Sequence, residues 1–305
     1  MVRALVGAGH RVVVIDDLST GHADALAPGV DFVHADVRAR DIVTRVLETR
    51  SVEAIFHFAS RIQVGESVVE PRLYYRDNLG AAVELLERAL DAKVPYFILS
   101  STAAVYGSPE HTPIEEGHPT EPVNPYGETK LAIEKMLASY RHAYGLSYAA
   151  LRYFNAAGAE PGLAERHDPE THLIPLVLDA VLGRRPKITV FGDDYPTPDG
   201  TCIRDYVHVT DLADAHLAAL VHLTRGGESG AFNLGTGRGH SVREVIDAAR
   251  RITGREIPTA LGARREGDPP VLVASADRAK KVLGWEATRS SLDRIVADAW
   301  RARQP

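Results

Sequence analysis

"MVRALVGAGHRVVVIDDLSTG" (residues 1–21) is the stretch whose reading decides the fold. Val12 to Ile15 form a short apolar, β-branched run, and Asp16 and Asp17 follow at once. Before it, Val2 to Val6 read as the last turns of a helix closed by Gly7 or Gly9. A helix end, a strand and an acid at the strand tip make the second half of a dinucleotide-binding βαβ unit. Its first half, a strand and a Gly-rich phosphate loop leading into the helix, is expected to precede Met1.

Outward from this stretch, strand-like and helix-like segments alternate. "VVVID" is followed by "DFVHADV", a helical "RDIVTRVLETR", "EAIFHFAS", a long helical stretch from Tyr74 to Ala92 and "YFILSST". A Pro-rich loop, a helix from about Tyr126 to Tyr144 and "YAALRYFN" close the series. Unbroken apolar strands in such alternation predict a parallel α/β sheet. After Asn155 the pattern loosens. A dinucleotide-binding domain is therefore expected over 1–156, with a returning segment at about 205–224, and a smaller domain over 157–305.

The bulk numbers narrow the class. A chain of 305 residues can bury a full core, and 45% hydrophobic with 25% charged residues is ordinary for a globular enzyme. A formal charge of -6 argues against a general nucleic-acid binder. The single cysteine, Cys202, excludes an internal disulfide and a cysteine-based zinc cage, and no metal is expected. No apolar run is long enough to cross a bilayer, and the start is a poor signal peptide, so a cytoplasmic location is the default expectation.

"NPYGETKLAIEKML" (124–137) carries the chemistry. Tyr126 and Lys130 lie four apart and share a helix face, with Pro125 suited to the first turn. A tyrosine is a poor base at neutral pH until a nearby cation lowers its pKa, and the lysine one turn on could supply that cation. The same spacing also fits an ordinary amphipathic helix. Upstream, "LSSTAAVYG" places Ser100, Ser101 and Thr102 directly after an apolar run. Small hydroxyls at the carboxyl end of a parallel strand sit where such sheets bind ligands, although they also serve as helix caps or turns.

"SSTAAVYG", "NPYGETK", "LRYFNAAGA", "FGDDYPTPDGTCIRDYVHVTDLADAH", "FNLGTGRGHSVREVI" and "RREGDPP" occur in this order over essentially the whole chain. Together they resemble the UDP-glucose 4-epimerases of the extended short-chain dehydrogenase/reductase family. The resemblance implies a doubly wound, Rossmann-like parallel sheet, here without its first strand, and a smaller C-terminal α/β substrate domain. It implies NAD as cofactor, a UDP-sugar as substrate, and a homodimer paired through helices near Arg72 to Leu90 and Tyr126 to Tyr144.

Matched position by position, the resemblance places Asp16 and Asp17 at the adenosine ribose, Asp36 and Val37 beside the adenine, and Phe58, Ala59 and Ser60 along the cofactor's path. An acid at the first of these sites favours NAD over NADP. Asp77, Tyr126, Lys130 and Tyr153 complete the cofactor set. Thr102, Tyr126, Asn155, His172, Leu173, Phe191, Arg204, Arg265 and Asp268 fall at sugar-nucleotide positions, the two arginines holding the diphosphate. Tyr126, Lys130 and Thr102 form the catalytic set. Tyr126 as phenolate takes the proton of the 4-hydroxyl while hydride passes from C4 to NAD, and Lys130 holds the ribose and depresses the tyrosine pKa. The 4-keto sugar then turns over and receives the hydride on its other face.

Several positions depart from the family pattern. Ile62, preceded by Arg61, stands where relatives carry a lysine, and Asp77-Asn78 replaces a common Asn-Asn. Leu272 occupies the position that sorts plain hexoses from N-acetylhexosamines. "GTGRGH" has His240 where a phosphate fingerprint needs glycine and belongs to a later family motif. The alternatives are another nucleotide-sugar epimerase, dehydratase or decarboxylase on this scaffold, or a non-catalytic nucleotide-sugar-binding remnant.

Overall fold

The computed structural model describes residues 1–265 and 267–304. Helix α1 (Val2–Gly7) ends where Gly9 takes a positive φ of 86°, a conformation that costs glycine little. Strand β1 (Val13–Asp16) then pairs in parallel with β2 (Asp31–His34). Helix α2 (Arg40–Thr49) leads to β3 (Ala54–His57), followed by the short helices α3 (Val64–Val69) and α4 (Pro71–Tyr74).

A wide π-type turn over Tyr75–Gly80 connects α4 to α5 (Ala81–Asp91), so the helix expected over 74–92 is widened in its first third. The cause is local. Asn78 is fully buried there, and its side-chain amide both accepts from the Arg61 backbone N–H and donates to the Arg61 carbonyl.

Strand β4 (Tyr96–Thr102), helix α6 (Pro125–Tyr144) and β5 (Ser147–Tyr153) follow. The segment β6 (Asn155–Ala157), α7 (Leu173–Val181), β7 (Ile188–Phe191) and β8 (Ile203–Arg204) comes next. After it come β9 (Tyr206–His208), α8 (Val209–Thr224) and β10 (Gly230–Leu234). The chain closes with β11 (His240–Ser241), α9 (Val242–Thr253), β12 (Thr259–Gly262), β13 (Val271–Leu272) and α10 (Leu292–Arg303).

The main sheet runs β10-β5-β4-β3, all parallel. Among the described residues β1 and β2 pair only with each other, and β1 shares no ladder with β3. Alternate residues of β4 face opposite layers. Phe97 and Leu99 pack with Val43, Leu86, Ile133 and Leu137 from α2, α5 and α6. Ile98 packs with Leu212, Ala215 and Leu220 from α8, and with Phe232 and Trp285. Helices therefore cover both faces, as a doubly wound sheet requires, and each large apolar side chain buried there contributes about 1.5–3 kcal/mol.

The segment 205–224 contains β9 and α8. Strand β10 lies in the main sheet, because its parallel pairing with β5 satisfies that strand's outer edge. A separate core joins α7, α9 and α10 around Ile188 and Val190 of β7.

Candidate active site

Thr102 ends β4 and its hydroxyl accepts a hydrogen bond from the Ala104 N–H at 3.1 Å, capping the short 3-10 turn Ala103–Tyr106. Helix α6 starts against that turn. The Asn124 side chain caps it by accepting from the Gly127 N–H at 2.9 Å, and Pro125 occupies the first turn. Gly127 allows the close approach: a Cβ there would lie 2.5 Å from the Ala104 carbonyl oxygen. This docking brings Tyr126 beside Thr102 and points Lys130 into the core.

Lys130 is 1% exposed, and its Nζ donates to the Ser100 carbonyl at 2.9 Å. Burial lowers its pKa to about 8, while the Glu134 carboxylate opposes that shift. The phenol group of Tyr126 is packed round by protein. Burial and Tyr153 raise its pKa, and the Thr102 hydroxyl lowers it. The expected depression of the tyrosine pKa by Lys130 is therefore not what this structure shows. The ammonium is itself destabilised by burial and is directed at a backbone carbonyl.

Tyr153, at the end of β5, hydrogen-bonds Ser100, so Ser100, Thr102, Tyr126, Lys130 and Tyr153 converge at the carboxyl ends of two neighbouring strands. The sequence reading missed what lies beneath them. Ser101 donates to Glu134 at 2.5 Å, and Arg152 binds the same carboxylate from Nε at 3.0 and 3.1 Å. Arg152 also donates to the Tyr106 hydroxyl, which in turn donates to Asn233. The signal was available: Tyr126, Lys130 and Glu134 repeat at intervals of four along one helix face.

The other residues expected to meet the cofactor lie at or just after the ends of β1, β2 and β3, with Asp77 joined to them through Arg38 and Arg61. Asp16 Oδ1 accepts from the Leu18 N–H at 2.7 Å, and Asp17 Oδ1 from the Ser19 N–H at 2.9 Å. Asp36 and Asp77 both bind Arg38, and Asp77 also binds Arg61 and Arg76. The Asp77 carboxyl is held well below its usual range, first by Arg76. Val37 is half-buried, Phe58 is exposed and stacks on His216, and Ala59 and Ser60 follow it.

On the other side, Asn155 donates its backbone N–H to the Asp205 carbonyl, and His172 caps α7 one residue before Leu173. Arg204 pairs with Asp268, while the exposed Arg265 lies over the Phe191 ring, 4.3 Å from its centroid. These four residues come together on β7, β8 and the loop before β13. Leu272 packs against the cluster of Ala103, Val105, Tyr106 and Leu131, joining that side to the turn after Thr102. Buried Asp205 accepts from the N–H groups of Thr236, Gly237 and Ala274, so the "GTG" turn is held by a carboxylate.

The family model "NAD dependent epimerase/dehydratase family" matches residues 1–235. The UDP-glucose 4-epimerase of Halalkalibacterium halodurans is 50% identical over 298 residues, covering 97% of this chain and 89% of that protein. The crystal structure of the UDP-glucose 4-epimerase from Brucella ovis in complex with NAD superposes with a TM-score of 0.95 at 49% identity, over 98% of this chain and 92% of that one. The enzyme from Bifidobacterium longum in complex with NAD+ and UDP gives a TM-score of 0.92 at 37% identity, with the same coverage of 98% and 92%.

Proposed function

The chain belongs to the NAD dependent epimerase/dehydratase family, and from that membership we propose that it interconverts UDP-glucose and UDP-galactose by NAD-dependent epimerisation at C4. The observation that carries this reading is the convergence of Thr102, Tyr126 and a fully buried Lys130 at the carboxyl end of β4. Lys130 also fits the cofactor. An ammonium has three donors, and a protein partner takes one of them, so two remain for ribose hydroxyls at a site where unmade bonds are costly. Asp16 and Asp17 stand at the tip of β1, where an acid meets a ribose hydroxyl and repels a 2′-phosphate.

When bound, NAD would supply the acceptor and donor of the C4 hydride and a ring charge favouring the Tyr126 phenolate, with Lys130 and Tyr153 among the residues that would hold it. The chain's residues do the rest. Tyr126 Oη takes the proton of the sugar 4-hydroxyl and gives it back, while Thr102 Oγ1 holds the 4-oxygen by a hydrogen bond. Lys130 holds the ribose and keeps its charge inside the cleft. Arg204 and Arg265 bind the diphosphate, with Asp268 orienting Arg204 and the Phe191 ring supporting Arg265. Asn155, His172 and Leu173 line the nucleotide side. Asp36, Val37, Phe58, Ala59, Ser60, Asp77 and Tyr153 complete the cofactor cleft. We divide the chain accordingly into a cofactor part, 1–156 with the returning segment, and a sugar-nucleotide part over the remainder.

The test is turnover of UDP-galactose by the purified protein, with nucleotide content measured by release. Tyr126→Phe should keep the fold and lose at least about 10²-fold in kcat. A variant with wild-type turnover would remove Tyr126 as the base. With Leu272 of intermediate size, UDP-galactose should have a higher kcat/KM than UDP-N-acetylgalactosamine. We also read the protein as a homodimer through the helices of 72–90 and 126–144, whose exposed Tyr75 and Tyr144 are apolar surface for a second copy. Light scattering should give twice the 33.1 kDa chain mass, and a monomer at micromolar concentration would overturn that reading.

A further inference from the structure

One eight-residue segment, ending at His172 of the nucleotide side, gathers two imidazoles and two carboxylates. Glu165, His167, Glu170 and His172 each offer one donor atom, and the four atoms lie within 4.8 Å of one another. Glu165 Oε1 is 2.9 Å from His167 Nδ1 and 3.1 Å from His172 Nδ1, and Glu170 Oε1 is 2.8 Å from His172 Nδ1. Donor atoms around a tetrahedral zinc ion with bonds of about 2.0–2.1 Å are roughly 3.3 Å apart, so this arrangement needs only small side-chain adjustments to enclose one.

From this geometry we propose that Glu165, His167, Glu170 and His172 form a binding site for a divalent d-block cation of the zinc class. The donor set selects the class. Magnesium and calcium prefer all-oxygen sites, and copper(I) prefers thiolate or thioether, whereas two imidazoles with two carboxylates suit zinc or cobalt. His167 Nδ1 and His172 Nδ1 now donate to these carboxylates, so a bound cation would displace both protons to the ring Nε2 atoms or to solvent, leaving a carboxylate charge of minus two to balance it. The sequence reading expected no metal because a single cysteine excludes a cysteine cage, but these donors need no thiolate.

Two further features support the site. The Glu170 side chain is only 10% exposed, and its Oε2 is buried with no hydrogen-bond partner, its nearest cation being Arg303 at 3.7 Å. A buried carboxylate oxygen so placed gains from a positive neighbour. Outer groups also hold the donors in place. The Thr171 and His172 N–H groups both donate to Glu170 Oε1 at 2.8 Å, and Arg303, paired with Asp179 of α7, donates to the Glu165 carbonyl. Such outer contacts orient ligands around a metal. A bound cation would tie the loop of 165–172 to the start of α7.

The test is titration of the chelator-treated full chain with Zn2+ and, separately, Co2+. The expected result is one equivalent bound per chain, a rise in Tm, and visible Co2+ bands of four-coordinate intensity. Glu165→Gln and His167→Gln, which keep side-chain volume and lie outside the cleft residues, should each weaken uptake at least about tenfold. Far-UV circular dichroism of each variant checks that it is folded, and the wild-type titration stands even if one is not. Absence of stoichiometric zinc uptake by the wild-type chain would overturn the proposal. So would uptake unchanged in both variants, or Mg2+ competing on equal terms with Zn2+.

Discussion

Lys130 and Glu134 show how a single charge is tuned. Burial brings the lysine pKa down to about 8, and the carboxylate one turn away holds it from falling further. The cation is therefore lost as pH rises through about 8, and kcat should fall over the same interval. Glu134→Gln removes the supporting charge and should move that basic limb to lower pH. It also leaves Arg152 buried without its partner, which costs about 3–5 kcal/mol in comparable pairs and should lower Tm. The pH–kcat profile separates the two effects, because a limb unmoved in the variant would show that Glu134 acts on stability alone. The spacing of Tyr126 and Lys130 was legible in the sequence. The Glu134–Arg152 pair was not, because its members meet across α6 and β5 only after the sheet forms.

At the level of elements, the decisive contact is the start of α6 against the turn after β4. A Cβ at position 127 would sit 2.5 Å from Ala104 O and 2.9 Å from Pro122 Cβ. Gly127→Ala should push the helix start outward and cost about 1–3 kcal/mol by overpacking. Since Tyr126 and Thr102 sit on the two sides of that contact, kcat should fall more than ten-fold while a remote glycine-to-alanine change, such as Gly145→Ala, leaves it unaltered. Thermal melting and turnover measured together check this. Equal activity of Gly127→Ala and wild type would show that the docking distance does not set the catalytic geometry.

For the whole molecule, stability depends on two histidines held inside it. His57 and His216 are each 2% exposed, and burial lowers their pKa values to about 3 and about 4. The unfolded chain protonates imidazole near pH 6.5, so between that value and about 4 it binds protons that the folded chain does not. Stability from these groups is therefore complete above about pH 6.5 and is lost as pH falls toward 4, by about 1.4 kcal/mol per unit for each histidine. Urea unfolding at pH 7, 6 and 5 should show the decline, and His216→Phe, which keeps a ring against Phe58, should flatten it. An identical slope in the variant would remove His216 as a source of the acid sensitivity.

What the amino-acid sequence determined by itself was the order and kind of the elements. Unbroken apolar runs such as "YFIL" and the period-four face of 126–144 are local properties, set by backbone geometry and side-chain burial. Family membership was legible for a similar reason, since its motifs are contiguous words. Tertiary structure alone decided which charges meet. Arg204 pairs with Asp268 across 64 positions, Asp77 gathers arginines from three places, and β10 pairs with β5 residues 81 positions away. It also decided that the half-buried Tyr126 has a raised pKa. Desolvation depends on everything packed around a group, and the sequence near position 126 carries only the part contributed by its own helix.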